Sequence, residues 1–268
     1  MNWPQDFVNK VICGDCLEVM KEMPDESIDM VWTDPPYGLN LNNGDLIHHW
    51  ESAFGRDKRN EIARPIINDS REDMERVVRG AFKEFGRILK RECCCCCCCG
   101  GGGPIPLFAD FSKWLDEPPL QFFQAVVWDK MGLGMGLRYR RNYEFILVAH
   151  RRNGKLLWNW NGRGMETANI VRIPKIIPQI NQHPTEKPVA LIKHFLKLHA
   201  GPDILVLDSF CGHGSTLIAC VEMGLRFIGI EIDSDYCEIA RKRIAQAREQ
   251  QDLFRKPENA VAVQGELL

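Results

Sequence analysis

Apolar positions along this chain follow two rhythms. Short apolar runs bounded by Gly, Pro, Asn or Asp read as strands, and longer stretches with apolar residues three and four apart read as helices. Residues 8–13 (Val-Asn-Lys-Val-Ile-Cys) predict a short strand ending at Gly14-Asp15, and Cys16 to Lys21 a short helix. Ile28-Asp29-Met30-Val31-Trp32-Thr33 reads as a buried strand. Met74, Val77, Val78, Ala81, Phe82, Phe85 and Leu89 have helical spacing behind Ser70-Arg71-Glu72-Asp73, which offers a side-chain cap and an acid three residues on. Ile105 to Ala109, Phe122 to Trp128 and Phe145 to Ala149 read as further strands, and Pro188 to His199 as a helix. Trp158 to Gln182, with two prolines, reads as irregular.

The last third has the clearest alternation of strand and helix. Ile204 to Leu207 is a buried strand, Asp208 to Thr216 a glycine turn, and Leu217 to Met223 a helix stopped by Gly224. Arg226 to Ile230 is the next strand, ending at Glu231, and Asp233 or Ser234 caps a final helix running to about Gln250. The tail from Leu253 reads as loose.

Two segments break the pattern. Leu39 to Asn68 is polar with little periodicity, and a loop of that length in a compact domain reads as a functional lid or a disordered segment. Seven consecutive cysteines, Cys93 to Cys99, run into Gly100 to Gly103. Adjacent side chains cannot all converge on one ion, so no metal site is expected, and the 93–103 block reads as a low-complexity insertion fitting neither helix nor strand. The other five of the twelve cysteines are scattered, which is no disulfide framework and points to a reducing compartment.

Composition narrows the class. The chain has 268 residues, 45% hydrophobic and 26% charged, ordinary values for a soluble globular protein with a sizeable core. No run of 18 apolar residues spans a membrane, and Met1 to Asp6 does not resemble a secretory signal, so a cytoplasmic protein is expected. The net charge of −2 hides an asymmetry: Lys130 to Gln182 holds ten Lys/Arg against two Asp/Glu. Arg138, Arg140, Arg141, Arg151, Arg152, Lys155, Arg163, Arg172 and Lys175 interleave there with Tyr139, Tyr143, Trp158 and Trp160. Basic groups neutralise phosphates and aromatics stack on bases, although a solvated basic face would look the same.

The candidate chemistry lies after two strands. Asp34-Pro35-Pro36-Tyr37 follows the strand at 28–33. A carboxylate at a strand end can accept a hydrogen bond from an exocyclic amine. Two prolines hold the turn extended and leave carbonyls without competing N–H donors. The ring can stack on a flat heterocycle. The turn at 208–216 offers backbone N–H groups at a helix start, and Glu231, 19 residues after Gly212, can hold a ribose diol. A dinucleotide fingerprint would need glycine where Leu217 stands, and a P-loop would need Gly-Lys-Ser/Thr, which is absent. Asp208 would repel a pyrophosphate but attract an ammonium, favouring a cofactor with an amino-acid part and a nucleoside part.

Asp208-x-Phe210-x-Gly212-x-Gly214-x-Thr216 together with Asp34-Pro35-Pro36-Tyr37 resembles the DNA amino-methyltransferases that use S-adenosylmethionine. The catalytic motif comes first and the cofactor motif last, which resembles their β group. His183-Pro184-Thr185-Glu186-Lys187-Pro188 is similar to the group's cofactor-contacting segment, and Gly14-Asp15-Cys16 and Arg141-Asn142-Tyr143-Glu144-Phe145 match further blocks. The resemblance covers roughly residues 10–250.

That resemblance implies an α/β, Rossmann-like fold, mostly parallel with helices on both faces and the family's last strand antiparallel. It implies a catalytic part at 1–153, a target-recognition insert at 154–182 and a cofactor part at 183–250, with 251–268 as tail. Asp208, Phe210, Gly212, Gly214, Ser215 and Thr216 would shape the methionine pocket, and Glu231 with Ile232 the ribose end. Asp15 and Cys16 would line the adenine end, and Thr185 and Lys187 would meet the cofactor carboxylate. Asp34 and the Pro35 carbonyl would each accept one N–H bond from adenine N6, with Tyr37 stacking on the flipped base. Arg138, Arg140, Arg141, Arg151, Arg152, Arg163, Arg172 and Lys175 would bind double-stranded DNA. Adenine is preferred over cytosine N4, the alternative target, because the family's cytosine enzymes usually carry Ser where Asp34 stands. A non-catalytic DNA-binding protein on the same fold, and methylation of protein glutamine or RNA, are further alternatives. A homodimer and a cognate restriction enzyme are left open as partners.

Overall fold

The computed structural model describes residues 1–38, 70–99, 107–132, 140, 142–160, 165–176 and 186–254. The expected lid at 39–68, the glycines at 100–103 and the tail beyond 254 lie outside them. The strands are β1 (Lys10–Cys13), β2 (Ile28–Thr33), β3 (Leu89–Cys99), β4 (Leu120–Asp129), β5 (Tyr143–Arg151), β6 (Lys155–Leu156), β7 (Ile170–Arg172), β8 (Leu205–Asp208) and β9 (Arg226–Glu231). The helices are α1 (Cys16–Lys21), α2 (Arg71–Ile88), α3 (Leu107–Leu115), α4 (Val189–His199), α5 (Ser215–Met223) and α6 (Ser234–Phe254).

The strands form one twisted sheet in the order β1-β9-β8-β2-β3-β5-β4-β7, with β6 paired off this path to the start of β3. Neighbours from β1 to β3 run parallel, β5 is antiparallel to both β3 and β4, and β7 is parallel to β4. This is a Rossmann-like fold. The antiparallel strand lies mid-chain rather than last, because the catalytic half precedes the cofactor half.

Alternation along each strand divides the core between two helical layers. Ile28, Val31, Cys93, Leu147, Ala149, Leu205, Leu207, Ile228 and Ile230 pack with α1, α2 and α3. Met30, Trp32, Cys94, Ile146, Val148, Val206 and Phe227 pack with α4, α5 and α6. Trp32 and Phe195 stack at 4.9 Å between centroids. A fully buried side chain of this size contributes about 1.5–3 kcal/mol, so each face holds many times the energy of any single ion pair.

Four local sequence expectations change. The cysteine block is no insertion: Cys93–Cys99 is the body of β3, pairing Met30–Thr33 on one side and Phe145–Ala149 on the other. Cys93 and Cys94 are fully buried on opposite faces. A reduced thiol behaves as a small hydrophobe there, and backbone pairing does not depend on side-chain variety. Leu107–Ala109 opens α3 instead of a strand, because Leu107, Phe111, Trp114 and Leu115 have helical spacing that a five-residue window hides. The last helix runs to Phe254, past Leu253 where a loose tail was expected. Within the stretch read as irregular, Ile170–Arg172 joins the sheet edge as β7; three residues are too few to show a period.

Other expected signals hold. Ser70 accepts from Asp73 N at the start of α2. Gly224 ends α5 at φ 68, in the left-handed region that favours glycine. No helix among the described residues is long and apolar enough to cross a membrane.

The segment after β5 docks tightly on β3. A Cβ on Gly154 would lie 2.1 Å from the Arg91 carbonyl oxygen and 3.0 Å from that of Arg151. Both are backbone atoms of paired strands and cannot swing aside. We expect Gly154→Ala to lower stability by about 1–3 kcal/mol, read as a lower thermal unfolding midpoint than the parent; an unchanged midpoint would show that β6 does not dock on β3.

Candidate active site

The parallel strands end at one edge of the sheet, and their carboxyl ends carry the candidate chemistry. In open α/β sheets ligands bind at this edge, where helices leave on opposite faces. β2 ends at Thr33 and delivers Asp34; β8 ends at Asp208; β9 ends at Glu231. β2 and β8 are neighbours through Met30–Val206 and Val31–Leu207. Thr33 Oγ1 donates to Asp208 Oδ1 at 3.2 Å and lies 3.3 Å from Ser209 Oγ. Asp34 and the glycine turn therefore meet side by side.

Asp34 stands among charges that lie far apart in sequence. Tyr37 Oη donates to Asp34 Oδ1 in a short hydrogen bond. Lys187 Nζ donates to Asp34 Oδ2 at 2.7 Å and to Tyr37 Oη at 3.0 Å. The same ammonium lies 3.4 Å from Glu144 Oε2, and Lys130 Nζ donates to Glu144 Oε1 at 3.1 Å. Lys187 is 6% exposed and Glu144 16%, so these charges have little water to screen them. Burial pushes the Asp34 carboxyl above its ordinary value, with Lys187 the strongest opposing influence. Burial acts on Glu144 too, but Lys187 and Lys130 outweigh it and hold that carboxyl low.

The glycine turn is shaped by its own backbone. Gly212 (φ 48) and Gly214 (φ 82) are left-handed. A Cβ on Gly212 would meet nothing within 4 Å, so the missing side chain leaves open room beside the turn. Gly214 has a packing reason, since its Cβ would lie 3.1 Å from Ala240 Cβ of α6. Phe210 N donates to Asp208 Oδ1 at 3.1 Å, and Ser215 and Thr216 are buried at the start of α5. Glu231 accepts from Gly212 N and Asp233 N, both at 2.9 Å, which aims it across the turn. Ile232, next along, is 38% exposed.

β1 brings the remaining residues alongside. Cys13 pairs with Glu231, and Gly14 N donates to the Glu231 carbonyl at 2.9 Å. Asp15 caps α1 by accepting from Leu17 N at 2.8 Å. Cys16 is buried and its thiol is pushed up to about 12, so it stays neutral. Glu186 is anchored to the turn: Ser215 Oγ and Arg243 each donate to Glu186 Oε1 at 2.7 Å.

Several predicted residues are thus brought together: Asp34, Pro35, Pro36 and Tyr37 beside Asp208, Phe210, Gly212, Gly214, Ser215 and Thr216, with Glu231, Ile232, Asp15 and Cys16 flanking. Thr185 lies outside the described residues. Lys187, expected at the cofactor carboxylate, contacts Asp34, Tyr37 and Glu144. Lys130 belongs to no sequence motif, and Glu144 is signalled by its place in the Arg141–Phe145 block.

The basic segment does not stay together. β5 runs opposite to its neighbours, so Glu144 lies at the site edge while Arg151 lies roughly 25 Å away at the other edge. Arg151 pairs with Glu26 at 2.5 Å and donates to the Leu89 carbonyl, and Arg152 holds the Asp116 carbonyl at 2.8 Å. These two arginines tie loops on the edge opposite Asp34, which removes them from a surface facing it. Arg172 and Lys175 follow the site end of β7, four strands or roughly 19 Å from β2. Arg140 is exposed on that side of β5, and Arg138, Arg141 and Arg163 lie outside the described residues. Trp158 packs edge-on against His199, and Lys197 lies over Trp160, so both aromatics rest on α4.

A carboxylate in a rigid proline turn, beside a glycine turn flanked by an acidic strand end, defines a nucleoside-cofactor methyltransferase class. The family comparison agrees. The model of the N6/N4 methyltransferase family, described as DNA methylase, matches residues 28–242, and the chain belongs to that family. It is 24% identical to the DNA adenine methyltransferase YhdJ of Escherichia coli (strain K12) over 277 residues, covering 90% of this chain and 85% of that protein. The crystal structure of the M1.HpyAVI complex with S-adenosylmethionine superposes with a TM-score of 0.62 at 21% identity, covering 88% of this chain and 98% of that one. The cytosine-N4-specific PvuII DNA methyltransferase gives 0.64 at 15% identity, covering 90% and 91%. The cofactor is S-adenosylmethionine, and the open turn at Gly212 with Glu231 across it fits such a ligand.

Asp208 carries a pH signature. Burial raises its carboxyl from 3.8 to about 7, with the hydrogen bonds of Thr216, Phe210 and Thr33 opposing. A raised acid keeps its proton in the folded chain after the unfolded chain has lost it, so this group's contribution falls as pH rises from about 4 to about 7. Asp208→Asn removes that loss. Without cofactor, the variant's melting temperature relative to the parent should climb across this window and level off above it, as followed by calorimetry.

Proposed function

We propose that this protein methylates the N6 of adenine in double-stranded DNA, on a base flipped out of the helix. The observation that carries the reading is the Asp34-Pro35-Pro36-Tyr37 turn set beside the 208–216 turn by the pairing of β2 with β8. The adenine preference draws on the carboxylate at position 34 and on the similarity to an adenine methyltransferase.

An exocyclic amine is a poor nucleophile because its lone pair is delocalised into the ring. The Asp34 carboxylate and the Pro35 carbonyl each accept one N–H, which draws the nitrogen toward tetrahedral geometry and localises the lone pair. Pro36 supplies no N–H to compete for that carbonyl. Tyr37 is fixed beside the carboxylate by its hydroxyl, and stacks on the base. S-adenosylmethionine, when bound, supplies an electrophilic methyl group on a sulfonium. Asp208, Phe210, Gly212, Gly214, Ser215 and Thr216 hold its amino-acid end, and Glu231, Ile232, Asp15 and Cys16 its nucleoside end. Holding amine and methyl in line removes much of the entropic barrier. Arg140, Arg172 and Lys175 contact phosphates along the same edge of the sheet, and the charges of Arg138, Arg141 and Arg163 add to theirs, which helps offset the few kcal/mol that flipping costs.

Cytosine N4 is the second reading, favoured by the likeness to the PvuII enzyme. Both targets present an amine beside a ring nitrogen, so the same pair of acceptors could serve either. Single-molecule sequencing of DNA from cells expressing the protein reads the modified base and its context. We expect N6-methyladenine at a defined sequence, and its loss by at least about 100-fold in Asp34→Ala. N4-methylcytosine alone would replace the adenine reading, and an Asp34→Ala variant as active as the parent would sink the mechanism.

A further inference from the structure

Five groups from different parts of the chain meet in a partly buried row: Lys130 after β4, Glu144 at the start of β5, Lys187 ahead of α4, and Asp34 with Tyr37 after β2. Asp208 of β8 adds a further carboxyl, which feels the charge of Asp34. Among the described residues of the row two cations face two anions, so their formal charges balance with Lys187 present. Removing that ammonium would leave Asp34 near both Glu144 and Asp208, with Lys130 as the described cation on the far side of Glu144. Buried carboxyls of like charge relieve themselves by taking up a proton. Asp34 is the most exposed to that fate, because Lys130 still holds Glu144.

The local backbone explains how Lys187 reaches this place. Pro188 keeps the chain extended before α4, so successive side chains leave on opposite sides. Glu186 goes to Ser215 at the start of α5 and Arg243 of α6, and Lys187 goes the other way to Asp34. Glu144 sits behind the ammonium at 3.4 Å.

We infer that Lys187 is a positioning residue for methyl transfer: clamped by Glu144 and steered by the Glu186 anchor, its ammonium keeps Asp34 anionic and in place to accept the target amine, and it does not serve the cofactor carboxylate. The inference rests on the amino-methyltransferase reading for its meaning in catalysis, but not for its central claim about Asp34. A protonated Asp34 would offer a hydroxyl donor to one side of the amine, where an acceptor is needed. The tyrosine hydroxyl bond alone, being neutral, is a weaker counterweight than an ammonium at the same distance.

Lys187→Met keeps the length and removes the charge; Lys187→Gln keeps a hydrogen-bond donor and serves where the methionine variant does not fold. Difference infrared spectroscopy against Asp34→Asn reads the Asp34 carboxyl without needing any DNA substrate. At neutral pH we expect the ionised form in the parent and a carboxylic-acid band in either lysine variant, which the added Asp34→Asn change removes. Cofactor affinity, measured by calorimetry, should stay within about threefold of the parent. With DNA as substrate, kcat at neutral pH should fall at least about 100-fold, and its acid limb should move up by about 1–3 pH units. Cofactor affinity weakened tenfold or more with Asp34 still ionised would overturn the inference and assign the lysine to the cofactor. A parent that methylates no DNA would end the functional reading, while the infrared result would still decide the lysine's role.

Discussion

Met30 and Val31 pair with Val206 and Leu207, two segments about 175 residues apart in the chain, and the site depends on that contact. Parallel pairing puts both strands' carboxyl ends at the same edge. One strand then turns into a rigid proline segment and the other into a glycine turn leading to a helix. Thr33 spans the join by donating to Asp208. If β2 were displaced by a single strand position, roughly 4.8 Å, the Asp34 carboxyl would no longer stand next to the glycine turn at 208–216. The apolar core on both faces is therefore tied directly to reactivity, since it fixes the strand order.

The electrostatics follow from the same edge. β5 runs antiparallel, and so its first residues, Tyr143 and Glu144, arrive where the parallel strands end. That reversal puts an acid behind Lys187 and sends Arg151 and Arg152 to the opposite edge. In a fully parallel sheet the two ends of β5 would exchange, and the ammonium would lose its second carboxylate. Orientation of one strand thus separates charges that the chain carries within ten residues of one another into a site group and a structural group.

β3 shows how little side-chain identity a central strand requires. Cys93 to Cys99 has no alternation to read and no variety, yet it is paired on both sides over several residues. Thiols tolerate either face of the sheet, and the neighbouring strands, with their Val, Ile, Leu and Trp, supply the pattern that locates it. The long run of one residue type hides a strand that its neighbours specify.

The amino-acid sequence by itself determined the motif chemistry, the α/β class and most element positions. Those signals are local: a cap such as Ser70, a stop such as Gly224, a proline turn after an apolar run, and glycines spaced for a turn can each be read within a few residues. Glu231 was legible because the unit of strand, turn, helix and strand has a characteristic length. What only the tertiary structure decided was which charges meet. The Lys187–Asp34 and Lys187–Glu144 contacts, the removal of Arg151 and Arg152 to the far edge, and the role of the cysteine run as β3 all depend on strand order and direction. Those are set by burial of two apolar faces, a property summed over the whole chain, and no single segment records it.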